Sequence, residues 1–213
     1  MTPGKNLSRS GGLFVISAPS GAGKTSLVKA LLERNPALTV SVSHTTRPRR
    51  PNEAEGREYW FVTPQDFQER LKRGEFLEYA QVFDNYYGTG KATVAALLAA
   101  GRDVILEIDW QGARQVRQSA PACTTIFILP PSRAALEERL RNRRTDTDAV
   151  IERRLRDAVS DMSHYREFGY VVVNDDFDRA RDQLESILAG EGQTLASGRG
   201  QLAPLLADLL GAS

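Results

Sequence analysis

An apolar run, Leu13-Phe14-Val15-Ile16-Ser17, leads straight into Ala18-Pro19-Ser20-Gly21-Ala22-Gly23-Lys24-Thr25, and a helical pattern starts at Lys24. No other stretch constrains the fold as tightly. Strand, glycine-bearing turn and helix in that order commit the chain to a wound α/β core with an anion site at the end of its first strand. Gly21 and Gly23 allow the backbone to turn its N–H groups onto phosphate oxygens. Lys24 has the reach for the β- and γ-phosphates, and the Thr25 hydroxyl suits Mg²⁺. The helix that follows turns its positive dipole end toward the same anion. Ala18 stands where the G-x-x-x-x-G-K-[ST] pattern has its first glycine, and a Cβ is acceptable there at negative φ. An ordinary glycine-rich turn would not combine this spacing, the Lys-Thr pair and the apolar flanks. The segment is read as a nucleoside triphosphate site.

Four apolar runs with little alternation, Leu13–Ser17, Val104–Ile108, Thr125–Leu129 and Tyr170–Val173, read as parallel strands covered on both faces, with Val40–Ser43 as a weaker fifth. Helical patterns separate them at Lys24–Arg34, Lys91–Ala100, Gln111–Gln118, Ser132–Arg143, Asp148–Tyr165 and Phe177–Ala189. Such alternation predicts a three-layer α/β core around a parallel sheet, with ligands at the carboxyl ends of the strands. Two stretches break the rhythm. Ser41 to about Gly90 carries Tyr59-Trp60-Phe61-Val62 and the segment Phe76 to Phe83 around a helix opened by Thr63 as N-cap and Pro64 at its first position, and reads as an inserted subdomain. Arg139 to about Arg156 concentrates arginines around a Thr-Asp-Thr-Asp turn and reads as a helical flap. In the tail, Leu202, Leu205, Leu206, Leu209 and Leu210 have helical spacing.

Composition removes several classes of function. With 28 Lys+Arg against 27 Asp+Glu in 213 residues, the net charge of +1 gives no global basic field for nucleic acid. The apolar stretch after the polar residues Met1 to Gly12 is too short for a signal peptide or a membrane span, so no membrane partner is expected. The single cysteine, Cys123, excludes an internal disulfide, fits a reducing cytoplasm and reads as core filler.

Glu107 and Asp109 end the apolar strand Val104-Ile105-Leu106, two residues apart, so their carboxylates share a face. Carboxylates placed so, beside a phosphate loop, suit Mg²⁺ or its water shell; Asp109 equally suits the N-cap of the next helix, and the two roles are compatible. Other groups invite reading only together: Ser43-His44-Thr45-Thr46-Arg47-Pro48-Arg49-Arg50-Pro51, Gly56–Tyr59, Phe76–Glu78 and Asn85–Thr89, followed by Asp-Trp-Gln-Gly at 109–112, Pro130-Pro131-Ser132 and Val173-Asn174-Asp175-Asp176. With these motifs in this order over about residues 12 to 190, the chain resembles the guanylate kinases, P-loop nucleoside monophosphate kinases.

The resemblance implies a P-loop core with a five-stranded parallel sheet, an inserted mixed α/β GMP-binding subdomain and a helical lid. The corresponding boundaries are 12–40, 91–138 and 160–190 for the core, 41–90 for the subdomain, 139–159 for the lid and 191–213 for the tail. It implies ATP and GMP as substrates, Mg²⁺ as cofactor, and phosphorylation of GMP to GDP. Glu78 would read the base: guanine offers two adjacent donors, N1–H and the 2-amino group, that one carboxylate accepts together, and adenine lacks that pair. Ser43 and Thr89 would complete the base edge, Thr89 as donor to O6, with Asp109 also on the GMP side. Arg47, Arg50, Tyr59 and Tyr87 would hold the GMP phosphate, guanidinium forks bidentately and phenols as neutral donors. Since the family pattern R-x-P-R is met here by Arg47-Pro48-Arg49-Arg50, Arg49 remains an alternative to Arg50. Ala18 to Thr25 would bind ATP together with Arg139, Arg143 and Asn174. Lys24, Arg143 and Arg154 would serve transfer itself, which needs positive charge on the phosphoryl oxygens. Arg141, Arg144, Arg153 and Arg156 are assigned to helix pairing and solvent, and His44 and His164 to structure. The rival reading is a catalytically silent guanylate-kinase-like module that binds protein ligands.

Overall fold

A computed structural model describes residues 11–82, 84–142, 147–196 and 202–211. Five strands, β1 (Leu13–Ser17), β2 (Leu38–Val40), β7 (Asp103–Glu107), β8 (Thr124–Leu129) and β9 (Tyr170–Val173), form one sheet in the order β2-β7-β1-β8-β9. Every pairing in it is parallel. The strands read as continuous apolar runs because both faces are covered. On one side Phe14, Ile16, Ile105, Ile126, Ile128 and Val172 pack with Leu27 and Leu31 of α1 (Lys24–Arg34) and Leu184 and Ile187 of α7 (Phe177–Leu188). On the other, Val15, Leu106, Phe127 and Leu129 meet α3 (Lys91–Ala99), α4 (Trp110–Ser119), α5 (Arg133–Arg141) and α6 (Asp148–Ser163). The Leu-rich tail forms α8 (Ala203–Leu210), which buries Leu209 completely in this second cluster.

The chain leaves the main sheet after β2 and returns at α3. Between them lie β3 (Ser43–Thr45), β4 (Tyr59–Phe61), α2 (Pro64–Lys72), β5 (Phe76–Val82) and β6 (Asn85–Gly90), whose strands form a second, mixed sheet in the order β4-β3-β6-β5. The α2 start follows its local code: the Thr63 side chain accepts from the Asp66 N–H, the Asp66 carboxylate accepts from the Thr63 N–H, and Pro64 takes the first turn. Phe67 is fully buried under the sheet, stacked on Phe76 and Tyr86 at 4.5 and 5.4 Å.

Three expectations are corrected. The run Val40–Ser43 is not one strand: β2 ends at Val40, the Ser41 N–H donates a last bond to the Ile105 carbonyl, and Ser43 already belongs to the second sheet. Apolar character alone could not show that turn. The helix expected to Tyr165 ends at Ser163 and is followed by a 3-10 turn at Tyr165–Glu167, which buries Tyr165. Ser132 does not open α5 from within but caps it, accepting from the Ala135 N–H. Arg143 and Arg144 of the arginine-rich flap, Phe83, and Met1 to Ser10 of the polar N-terminal segment lie outside the described residues.

Candidate active site

The loop from Ala18 to Gly23 leaves β1, the central strand of the main sheet. Gly21 and Gly23 adopt φ of 91° and 95°, a region that favours glycine. A Cβ on Gly23 would sit 2.3 Å from the Asn174 amide nitrogen. Gly23 is also the N-cap of α1 and offers no side chain, so the first-turn N–H groups keep their capacity for an anion. Asn174, which follows β9 and is 5% exposed, donates its amide to the Ala22 carbonyl at 2.7 Å and so braces the loop from behind. Arg139 donates to the Asn174 carbonyl at 2.9 Å, while its second terminal nitrogen is buried without a hydrogen-bond partner. A buried guanidinium nitrogen without an acceptor, beside a phosphate loop, fits an anion.

The loop forms one wall of a cavity of about 350 Å³. Lys24, Thr25, Ser43, Tyr59, Glu78, Tyr87, Glu107 and Asp109 all line it, so residues from both sheets converge on one space. Burial lowers the Lys24 pKa, against the opposing pull of Glu107, Asp109, Glu78 and Asp161. Glu107 is the carboxylate nearest Thr25, whose hydroxyl donates to it at 3.4 Å. Asp109 caps α4 instead: one oxygen accepts from the Gly112 N–H at 2.9 Å, the other from the Gln111 amide at 3.1 Å. The sequence marked both carboxylates without ranking them. The pairing of Ile16 with Glu107 across parallel strands is what sets Glu107 level with the loop.

Glu78 is 3% exposed, and burial raises its pKa to about 7. Its Oε1 accepts a 2.5 Å bond from the Thr89 hydroxyl, which lies 3.1 Å from the Ser43 hydroxyl. Thr89 is fully buried behind the carboxylate and its proton is committed to Glu78, so here it orients the reader instead of facing the cavity. Ser43 lines the cavity directly. Ala80 and Val82 line it beside Glu78 because alternate residues of β5 share a face, a period-two signal present in the sequence.

Arg47 holds Glu53 at 2.7 Å, both about nine-tenths withdrawn from water, and lies 5.5 Å from the Tyr59 ring centre. Tyr59 and Tyr87 meet edge to face at 5.8 Å, and burial raises the Tyr59 pKa, which keeps the phenol a neutral donor. Arg50 is exposed; its backbone N–H donates to the second Glu53 oxygen at 2.8 Å, and neither Arg49 nor Arg50 lines the cavity. Glu53 was not singled out in the sequence.

A second cavity of about 520 Å³ adjoins the first through Ala18, Ser20 and Asp109, and there Arg154 and Arg153 of α6 face the phosphate loop. Arg153 lies 3.9 Å from Asp157 one turn on, as expected for helix pairing, yet shares this wall. Arg141 pairs with Glu137 and Asp148 on the surface. Asp161, unmarked in the sequence, lines the same space; burial first and Asp109 second raise its pKa to about 6. His164 stacks on Trp110 at 3.6 Å and bonds Glu167, which supports its structural assignment; His44 packs against Phe76. Cys123 is half-buried against the core.

Thr25 with Glu107 and Asp109 gives oxygen donors of the kind Mg²⁺ takes when most of its shell is water and phosphate. Among the described residues no group of three or more His, Cys, Asp or Glu forms a self-sufficient metal cage, and no helix is long and apolar enough to cross a membrane.

Residues 10–191 match the family model described as guanylate kinase. A guanylate kinase of Methylococcus capsulatus is 59% identical over 199 residues, covering 93% of this chain and 98% of that one. One of Chromohalobacter salexigens is 56% identical, covering 94% and 93%. The crystal structure of guanylate kinase from Anaplasma phagocytophilum superposes with a TM-score of 0.71 at 34% identity, covering 93% of this chain and 95% of that one.

Proposed function

The chain belongs to the guanylate kinase family, and from that premise we propose how its cavity carries out ATP-dependent phosphorylation of GMP to GDP. The observation that carries the reading is the meeting of Glu78 with Lys24 in one cavity: a buried acceptor built for two donors stands opposite a phosphate loop. Glu78 accepts N1–H and the 2-amino group of guanine, held in orientation by Thr89, with Ser43 on the same edge. Tyr59, Tyr87 and Arg47 receive the GMP phosphate, with Arg50 or Arg49 closing from the exposed loop. The backbone from Ala18 to Thr25 cradles the ATP phosphates, Asn174 braces that loop, and Arg139 contributes its unpartnered nitrogen.

Lys24 stays bound to the transferring phosphate through the reaction, and Arg154 approaches from α6, with Arg143 assigned to the same task from the flap. Charge held in place is what this transfer needs, since the phosphate of GMP is already a nucleophile near neutral pH. Mg²⁺, held by Thr25 with Glu107 or Asp109, would supply charge neutralisation on the β- and γ-phosphates. The division into core (12–40, 91–138, 160–190), GMP-binding subdomain (41–90) and lid (139–159), and a cytoplasmic location, belong to the same proposal. The intact phosphate loop and the arginines facing it speak against a silent binding module. An ADP-release assay with MgATP and, separately, GMP, AMP, CMP and UMP tests the reading: turnover is expected with GMP, and equal turnover with AMP, or none with any acceptor, would refute it.

A further inference from the structure

The second sheet ends in a strand with one edge unpaired: β5 bonds only to β6. Its other edge is turned toward α4 of the core, and one side chain meets it there. The Gln115 amide accepts from the Tyr79 N–H at 3.1 Å and donates to the Tyr79 carbonyl at 2.6 Å. A single glutamine thereby reproduces one rung of a neighbouring strand, satisfying both backbone groups of the residue next to Glu78.

One turn earlier on the same helix face is Gly112, where a Cβ would lie 2.3 Å from Glu78 Oε2. The helix therefore receives the Glu78 carboxylate at one point and fixes the strand that carries it at another. The same first turn holds Asp109 through the Gly112 N–H. By contrast, the covalent links between the two sheets are the chain crossings after Val40 and at Gly90, neither of which touches Glu78.

We propose that Gln115 is a positioning residue for guanine recognition: its amide locks β5 onto α4 and so sets where the Glu78 carboxylate stands in the cavity. The proposal rests on Glu78 being the base reader. Misplacing a reader by about 1 Å costs up to ~10²-fold in a geometry-dependent site, and the loss falls on GMP, because Gln115 lies on the side of α4 facing β5 and touches none of the phosphate loop.

The test replaces Gln115→Met, which keeps length and helix propensity but neither bond, and Gln115→Glu, which keeps the acceptor for the Tyr79 N–H and opposes the Tyr79 carbonyl with an oxygen. Steady-state constants for GMP and ATP are measured with melting temperature, together with kcat/KM for inosine 5′-monophosphate, which retains N1–H and O6 but lacks the 2-amino group. Gln115→Met is expected to raise KM for GMP about tenfold and to shrink the preference for GMP over the inosine nucleotide by a similar factor. KM for ATP and the melting temperature stay within error, and Gln115→Glu falls between the two. An unchanged KM for GMP, or equal rises for both substrates with a lowered melting temperature, overturns the proposal. Glu78→Gln run in parallel separates the failures: if it too leaves KM for GMP unchanged, the base-reading assignment falls as well; if it raises KM while Gln115→Met does not, the positioning role alone falls.

Discussion

Replacing Glu78 with glutamine should make the empty protein more stable while impairing GMP binding, and the pH dependence of that gain is the informative part. The carboxyl is 3% exposed and burial lifts its pKa from 4.5 to about 7. A carboxyl with a raised folded pKa contributes its full stability below the unfolded value and loses it as pH climbs through the folded value. At about 1.36 kcal/mol per unit, the ionised group costs the unliganded fold on the order of 3 kcal/mol at pH 8 and under about 1 kcal/mol at pH 5. Glutamine keeps the volume and an oxygen for Thr89 but does not titrate. For a domain of this size, at roughly 2–4 °C per kcal/mol, the variant should melt roughly 6–12 °C above the parent at pH 8 and only roughly 1–4 °C above it at pH 5. Losing a charged acceptor should raise KM for GMP roughly 10- to 100-fold and leave KM for ATP unchanged. Thermal melts from pH 5 to 8 with steady-state kinetics read both effects. A melting difference that does not grow with pH, or a variant less stable at pH 8, would refute the argument that burial without ligand strains this carboxylate.

Gly112→Ala places a Cβ 2.3 Å from Glu78 Oε2, so kinetics should show KM for GMP rising about tenfold with KM for ATP unmoved. Gly23→Ala meets both a left-handed φ of 95° and the Asn174 amide at 2.3 Å; calorimetry should show ATP binding lost, and denaturant melts a cost of roughly 1–3 kcal/mol. Lys24→Met removes the cation from the phosphate loop and should lower kcat at least ~10²-fold in single-turnover assays while circular dichroism stays native. Thr63→Ala breaks the α2 capping box and should cost about 1 kcal/mol by chemical denaturation, with kcat and KM unchanged.

How much of this was legible beforehand depended on whether a residue's role was local. The α1 bounds, Lys24–Arg34, and the capped start of α2 are visible in the sequence because phosphate-loop spacing and a Thr-Pro-x-Asp start are short-range codes. The strand run Val40–Ser43 was misread because nothing in its side chains marks the point where the backbone changes sheets. Glu78 was legible only through resemblance; by its own context it is a strand residue, and what makes it a reader is the burial supplied by Thr89 and Gly112, distant in sequence. Thr89 showed the complementary failure: the sequence gives the hydroxyl, and only the packing shows its proton committed to Glu78. Gln115 carried no signal at all, because a helix glutamine becomes meaningful only opposite an unpaired strand edge.

The Arg47–Glu53 pair, already satisfied within the protein, bears on how fast nucleotides leave. On the proposed reading, a phosphate arriving at Arg47 does not find a bare cation to neutralise; it displaces a carboxylate that already occupies the fork. Binding is then an exchange of one anion for another, and the reverse exchange is always at hand. Glu53 acts as a tethered competitor at high local concentration, which weakens ground-state capture of the phosphate and hastens departure of the diphosphate product. A site built this way favours throughput over retention, a suitable bias for an enzyme whose product carries the same recognition groups as its substrate.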